Sequence, residues 1–167
     1  MIELLLFILI GVIMYLVQRM VGPQFGWRKV LIYLISGMIG GLGAVLLAKY
    51  SLPSQVGLLG KTIWPGMVIM GSTGGIVLYT ASALNLYQSN FFQLFGTLIL
   101  GIATGVGTAA IYALYAVVVG IPWITTGQIG NRHFSGTIIM FCVLGFLIIF
   151  GYTMTARIVT RFHRALK

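Results

Sequence analysis

Hydrophobic and polar positions along this chain do not alternate; they fall into five long apolar runs separated by short polar breaks. A helix that crosses a bilayer needs about 20 apolar residues. Stretches 2–20, 30–49, 63–84, 92–119 and 136–156 meet that requirement. The pattern predicts an all-α membrane protein with five transmembrane helices. Gly22-Pro23 is expected to stop the first span and Ile121-Pro122 to close the fourth, because proline removes a donor and restricts the residue before it. Trp64-Pro65 opens the third, where a proline in the first helical turn costs little. Trp27, Trp64, Trp123, Tyr50, Tyr87 and Phe134 fall near the span ends, as an aromatic belt should. The first run lacks a basic leader and a small-x-small cleavage site, so it reads as a retained span.

Spans 2 and 4 share one small-residue pattern. Gly37, Gly41 and Gly43 form Gly-x-x-x-Gly-x-Gly, and Gly101, Gly105 and Gly107 repeat it at an offset of 64. Glycine weakens a helix in water, but in a bilayer it lets two backbones approach closely. Gly37, Gly41, Ala44 and Ala48 line one face of span 2; Thr97, Gly101, Thr104 and Thr108 do so in span 4, and Gly71 and Gly75 add a pair in span 3. These residues are expected to pack helices against one another. The alternative is a narrow path lined by hydroxyls and exposed carbonyls. Further along, Met67 matches Met140, and Tyr79-Thr80-Ala81 matches Tyr152-Thr153-Met154, at an offset of 73. The expectation is a duplicated helical hairpin, spans 2–3 and 4–5, preceded by one extra span. An even number of crossings separates the repeats, so they would run parallel about an axis along the membrane normal.

Composition excludes a water-soluble fold. The 167 residues are 59% hydrophobic and 7% charged, against roughly 25% charged in a soluble chain, and mean hydropathy is +1.07. One integral membrane domain over 1–167 is expected. Ten Lys+Arg against one acid give a net charge of +9, yet the basic residues sit at the ends of apolar runs, which argues for lipid headgroups rather than nucleic acid. With five spans, Arg19, Arg28, Lys29, Arg157, Arg161, Arg164 and Lys167 share one side, and Lys49, Lys61 and Arg132 the other. The bias places the C-terminus in the cytoplasm and the N-terminus outside. Residues 157–167 form a basic amphipathic tail, with Arg157, Arg161, Arg164 and Lys167 set for lipid headgroups and Ile158, Phe162 and Leu166 on another face.

Candidate chemistry is sparse. Apart from Glu3 at the very start, no span holds Asp, Glu or His, whereas proton relays and catalytic dyads in membranes need such groups. His133 and His163 lack a second ligand at metal-binding spacing, and Cys142 stands alone. No catalytic residue, cofactor or metal is therefore expected, and the chain does not read as an enzyme.

Residues 8–86 resemble the small, three-span, Gly-rich transglycosylase-associated membrane proteins. The resemblance rests on Ile10-Gly11-Val12-Ile13, Gly22-Pro23, the stretch from Gly37 to Ala44, and Gly74-Gly75-Ile76-Val77-Leu78-Tyr79. The extra hairpin departs from that family, and the resemblance implies a small bacterial inner-membrane protein without a defined activity. The five-span layout is also similar to a membrane subunit of respiratory complex I, from which it departs by lacking a Tyr-x-Gly-Ala pattern in its third span. The expected function is that of a non-catalytic membrane protein packing through its Gly faces, as a homo-oligomer or a subunit of a larger complex. A small channel or holin-like pore is the alternative. The expected partners are membrane lipids and other transmembrane helices.

Overall fold

A computed structural model of the chain describes residues 2–51, 63–86, 90–120, 128–129 and 132–165. Every apolar run is helical: α1 (Ile2–Val21), α2 (Trp27–Ser51), α3 (Ile63–Ala83), α4 (Asn90–Val119) and α5 (Phe134–Ala165). All five are long and apolar enough to cross a membrane, and the chain is built as a multi-pass integral membrane protein.

Left-handed residues set the helix ends. Gly22, at φ +77°, follows α1 directly, with Pro23 behind it; the left-handed residue turns the chain and the proline cannot continue the helix. Asn85 takes φ +51° just beyond α3, a conformation asparagine tolerates. The fourth helix ends at Val119, as expected. Gly120, at φ +76°, closes it, with its N–H donating to the Val117 carbonyl at 3.3 Å; Ile121 and Pro122 lie outside the described residues. The start of α2 is at Trp27 rather than at Val30, because polar Arg28 and Lys29 are accommodated in its first turn. The basic tail is no separate element. Nothing between Tyr152 and Ala165 breaks a helix, so α5 continues to Ala165 without interruption; Leu166 and Lys167 lie outside the described residues. A two-residue antiparallel ladder, β1 (Gln128–Ile129) with β2 (Arg132–His133), precedes α5; it is too short for any alternation to announce it.

The helices close into a ring. The most extensive contacts are α2 with α3 and α4 with α5; α1 lies between α2 and α5, and α3 meets α4 more lightly. Consecutive helices are antiparallel, so α1 and α5 run in the same direction. Ile10 and Met14 of α1 are fully buried, which makes the extra span part of the core. The least apolar helix, α3, is also the most buried. Its hydroxyls are satisfied locally: Ser72, Thr73 and Thr80 donate to the carbonyls of Val68, Ile69 and Ile76, so they cost little in apolar surroundings. Leu5, Leu42, Leu46, Val106 and Leu114 point outward, as residues that face lipid do.

Candidate functional site

The glycines mark where helix backbones touch. In the α2–α3 pair, a Cβ on Gly37 would strike the Gly71 carbonyl, and one on Gly71 would strike the Gly37 carbonyl. A Cβ on Gly41 would lie 2.7 Å from both the Met67 oxygen and the Val68 Cα, and one on Gly75 would strike the Tyr33 carbonyl. In the α4–α5 pair, a Cβ on Gly101 would lie 2.5 Å from the Phe146 Cα, and one on Gly105 would strike the Cys142 Cα. Gly145 completes the second pair, 2.6 Å from the Gly101 oxygen by the same measure. The atoms met are backbone, so no change of rotamer relieves the clash. All of these faces pack on helices of the same chain.

The two pairs share a contact register. Gly71 sits against Gly37 and Gly41 as Gly145 sits against Gly101 and Gly105. Val68 meets Gly41 as Cys142 meets Gly105, and Ser72 meets Gly37 as Phe146 meets Gly101. By contact, the positions on the first helices correspond at a spacing of 64. The second helices are related by 74, Gly71 to Gly145, rather than 73. The glycine that touches backbone fixes the register, and the methionine and tyrosine matches do not.

The threonines bond back to their own helix. Thr104 and Thr108 are fully buried, and each donates to the carbonyl one turn back, Leu100 at 2.8 Å and Thr104 at 2.7 Å. Their helix meets α3 through methyl groups: a Cβ on Gly107 would lie 2.7 Å from the Thr73 Cγ2, and one on Gly74 would lie 3.5 Å from the Thr104 Cγ2. Ala44 is fully buried. Arg157 and Arg161 are exposed on α5; Arg164 lies on its last turn, and Lys167 lies outside the described residues.

Two features escaped the sequence reading. The first is the glycine seam of α1. A Cβ on Gly11 would strike the Ile148 carbonyl, one on Gly151 would strike the Ile8 carbonyl, and one on Gly40 would lie 2.8 Å from the Ile10 oxygen. The second is a polar chain joining three helices. The Tyr152 hydroxyl donates to Gln18 Oε1 at 2.7 Å, and Gln18 Nε2 donates to Ser36 Oγ at 2.9 Å. The Ser36 hydroxyl in turn donates to the Tyr33 carbonyl at 2.9 Å. The Tyr15 ring meets Tyr152 edge-on at 5.5 Å. Lys29 Nζ donates to Ser82 Oγ at 2.9 Å, tying α2 to α3 at the same end. A carboxamide inside an apolar run was the available signal for Gln18.

Among the described residues, no three His, Cys, Asp or Glu gather as metal ligands would. The chain matches no family model, no curated protein and no solved structure. Chemically, the arrangement holds helices together: the linked side chains are an amide, hydroxyls and an ammonium, and each finds its partner on another helix or on its own backbone.

Proposed function

We propose that this is a non-catalytic multi-pass protein of the bacterial inner membrane, acting through helix association as a homo-oligomer or as a subunit of a larger membrane complex. The observation that carries the reading is the row of exposed apolar side chains on α2 and α4, because the contacts of Gly37 with Gly71 and of Gly101 with Gly145 lie within one chain. Such contacts spend the small-residue faces inside the chain and give a tightly packed bundle. Association with further helices then falls to the outer apolar faces, such as Ile35, Leu42 and Leu46 on α2 and Ile102 and Val106 on α4. The C-terminus is assigned to the cytoplasm, because Arg19, Arg28, Lys29, Arg157 and Arg161 gather at one end of the ring.

The fold proposal that accompanies this is a duplicated hairpin, α2–α3 and α4–α5. Matching contact registers at offsets of 64 and 74 support it. The resemblance to transglycosylase-associated proteins covers α1–α3, where Gly11, Gly37, Gly41 and Gly75 all make backbone approaches; it belongs to the same proposal. For the pore alternative, Thr104 and Thr108 would have to offer hydroxyls to a lumen, and their bonds to their own helix favour packing instead.

Purification in a mild detergent, followed by mass measurement and identification of co-purifying chains, tests the reading. The expected particle exceeds the 18.1 kDa of one chain, and liposomes bearing it show no ion flux. A strictly monomeric particle that conducts ions would overturn it.

A further inference from the structure

We infer that the C-terminal end of α5 is a binding site for anionic phospholipid, in which Arg157 and Arg161 hold the headgroup phosphate while Ile158 and Phe162 enter the acyl boundary. The length of the helix is the first argument. Its 32 residues rise about 48 Å at 1.5 Å each, well beyond the roughly 30 Å of the hydrocarbon layer. Its candidate membrane span runs from Gly136 to His163, so Arg157, Ile158, Arg161 and Phe162 all lie in its last turns. Long arginine side chains there reach outward to phosphates while apolar neighbours stay beside acyl chains. The last turns therefore meet the membrane boundary, with the Arg157 and Arg161 guanidinium groups at the phosphates and Ile158 and Phe162 beside the acyl chains.

Charge is the second argument. The whole sequence contains one acid, Glu3, and Glu3 lies in the first turn of α1, at the end of the ring remote from Arg157. Among the described residues no acidic residue lies at the end of the ring that carries Arg157, Arg161, Arg19 and Arg28, which leaves that end open to anions from outside. Arg157 and Arg161 stand one helical turn apart, where two guanidinium groups reach a single phosphate, and together with Ala156 and Thr160 they line an open recess on α5. The third argument is the pairing of that charge with exposed apolar side chains. Ile158 is 50% exposed and Phe162 67% exposed beside it. An aqueous phosphate offers nothing to cover them, whereas a lipid supplies acyl chains next to its phosphate. A bilayer lipid satisfies both halves of the surface.

The test is native mass spectrometry of the full-length protein in detergent with equal amounts of phosphatidylglycerol and phosphatidylcholine. Wild type should retain phosphatidylglycerol preferentially, and the preference should fall as salt screens the arginines. The double variant Arg157→Gln/Arg161→Gln should lose roughly 30-fold in phosphatidylglycerol affinity, with phosphatidylcholine binding and helicity unchanged. The double variant Arg157→Lys/Arg161→Lys should keep most of the preference. Ile158→Ser/Phe162→Ser should weaken both lipids alike. An unchanged lipid ratio in the glutamine variant overturns the site. So does displacement of the retained lipid by excess inorganic phosphate at matched ionic strength, which would mark a free-phosphate site. The oligomeric mass read from the same sample reports on association separately.

Discussion

The hairpins α2–α3 and α4–α5 reach the same contact register by different means. In the first, backbones meet at three levels: Gly41 on Met67 and Val68, Gly37 on Gly71, and Gly75 on Tyr33. In the second they meet at two, Gly105 on Cys142 and Gly101 on Gly145 and Phe146. The position equivalent to Gly75, 74 residues later, holds Ile149, which is fully buried. The first hairpin closes that level with a glycine on a carbonyl, and the second carries a packed side chain there. Close approach is therefore needed at two shared levels and optional at the third. The seams to a third helix differ likewise. Gly40 of α2 meets the α1 backbone, whereas its equivalent Thr104 meets α3 through a methyl group, with the glycine, Gly74, on the partner helix.

The largest expected effect breaks the shared levels. Gly71→Leu and Gly145→Leu each place a side chain on a facing backbone, and each should cost at least about 3 kcal/mol, seen as lost folded material in size-exclusion profiles. Matching losses support equivalence; a tolerated Gly145→Leu would break it. The divergent third level should follow opposite rules. Ile149→Ala leaves a cavity and should cost about 2–4 kcal/mol, while Gly75→Ala overfills a contact and should cost about 1–3 kcal/mol; thermal unfolding midpoints would rank them. Smaller is the polar chain. Gln18→Ala should cost about 1–2 kcal/mol and Tyr152→Phe about 0.6 kcal/mol, with the loss largely cancelled in a Gln18→Leu/Tyr152→Phe pair that removes both polar groups. Leu5→Ala, on the outer face of α1, should change stability by less than about 0.5 kcal/mol.

Much of the fold was legible because lipid writes an unusually plain rule: a run of about 20 apolar residues is a span. The glycine positions in α2, α3 and α4 were legible for a related reason, since glycine in such a run has few uses other than close approach. Direction was not. Nothing in Gly37 or Gly101 says whether the backbone it meets belongs to the same chain. Gly11, Gly145 and Gly151 were not read as packing positions because none recurs at helical spacing within its span, and periodicity finds only glycines that recur. The offset of 73 followed chemical likeness among Met67, Met140, Tyr79 and Tyr152, whereas contact is set by the residues with no side chain. Gly120 adds a left-handed cap at the end of α4, and Ile121 and Pro122 lie outside the described residues.

The central claim is that the paired glycine faces hold this chain to itself. Gly41→Leu and Gly105→Leu, each followed in one detergent by thermal unfolding and by native mass, test it most directly. The structure predicts that both variants lose the folded chain, with unfolding midpoints far below wild type and protease sensitivity in the helices. Variants that keep the wild-type midpoint and merely dissociate from a larger particle would place these glycines between chains and contradict the claim.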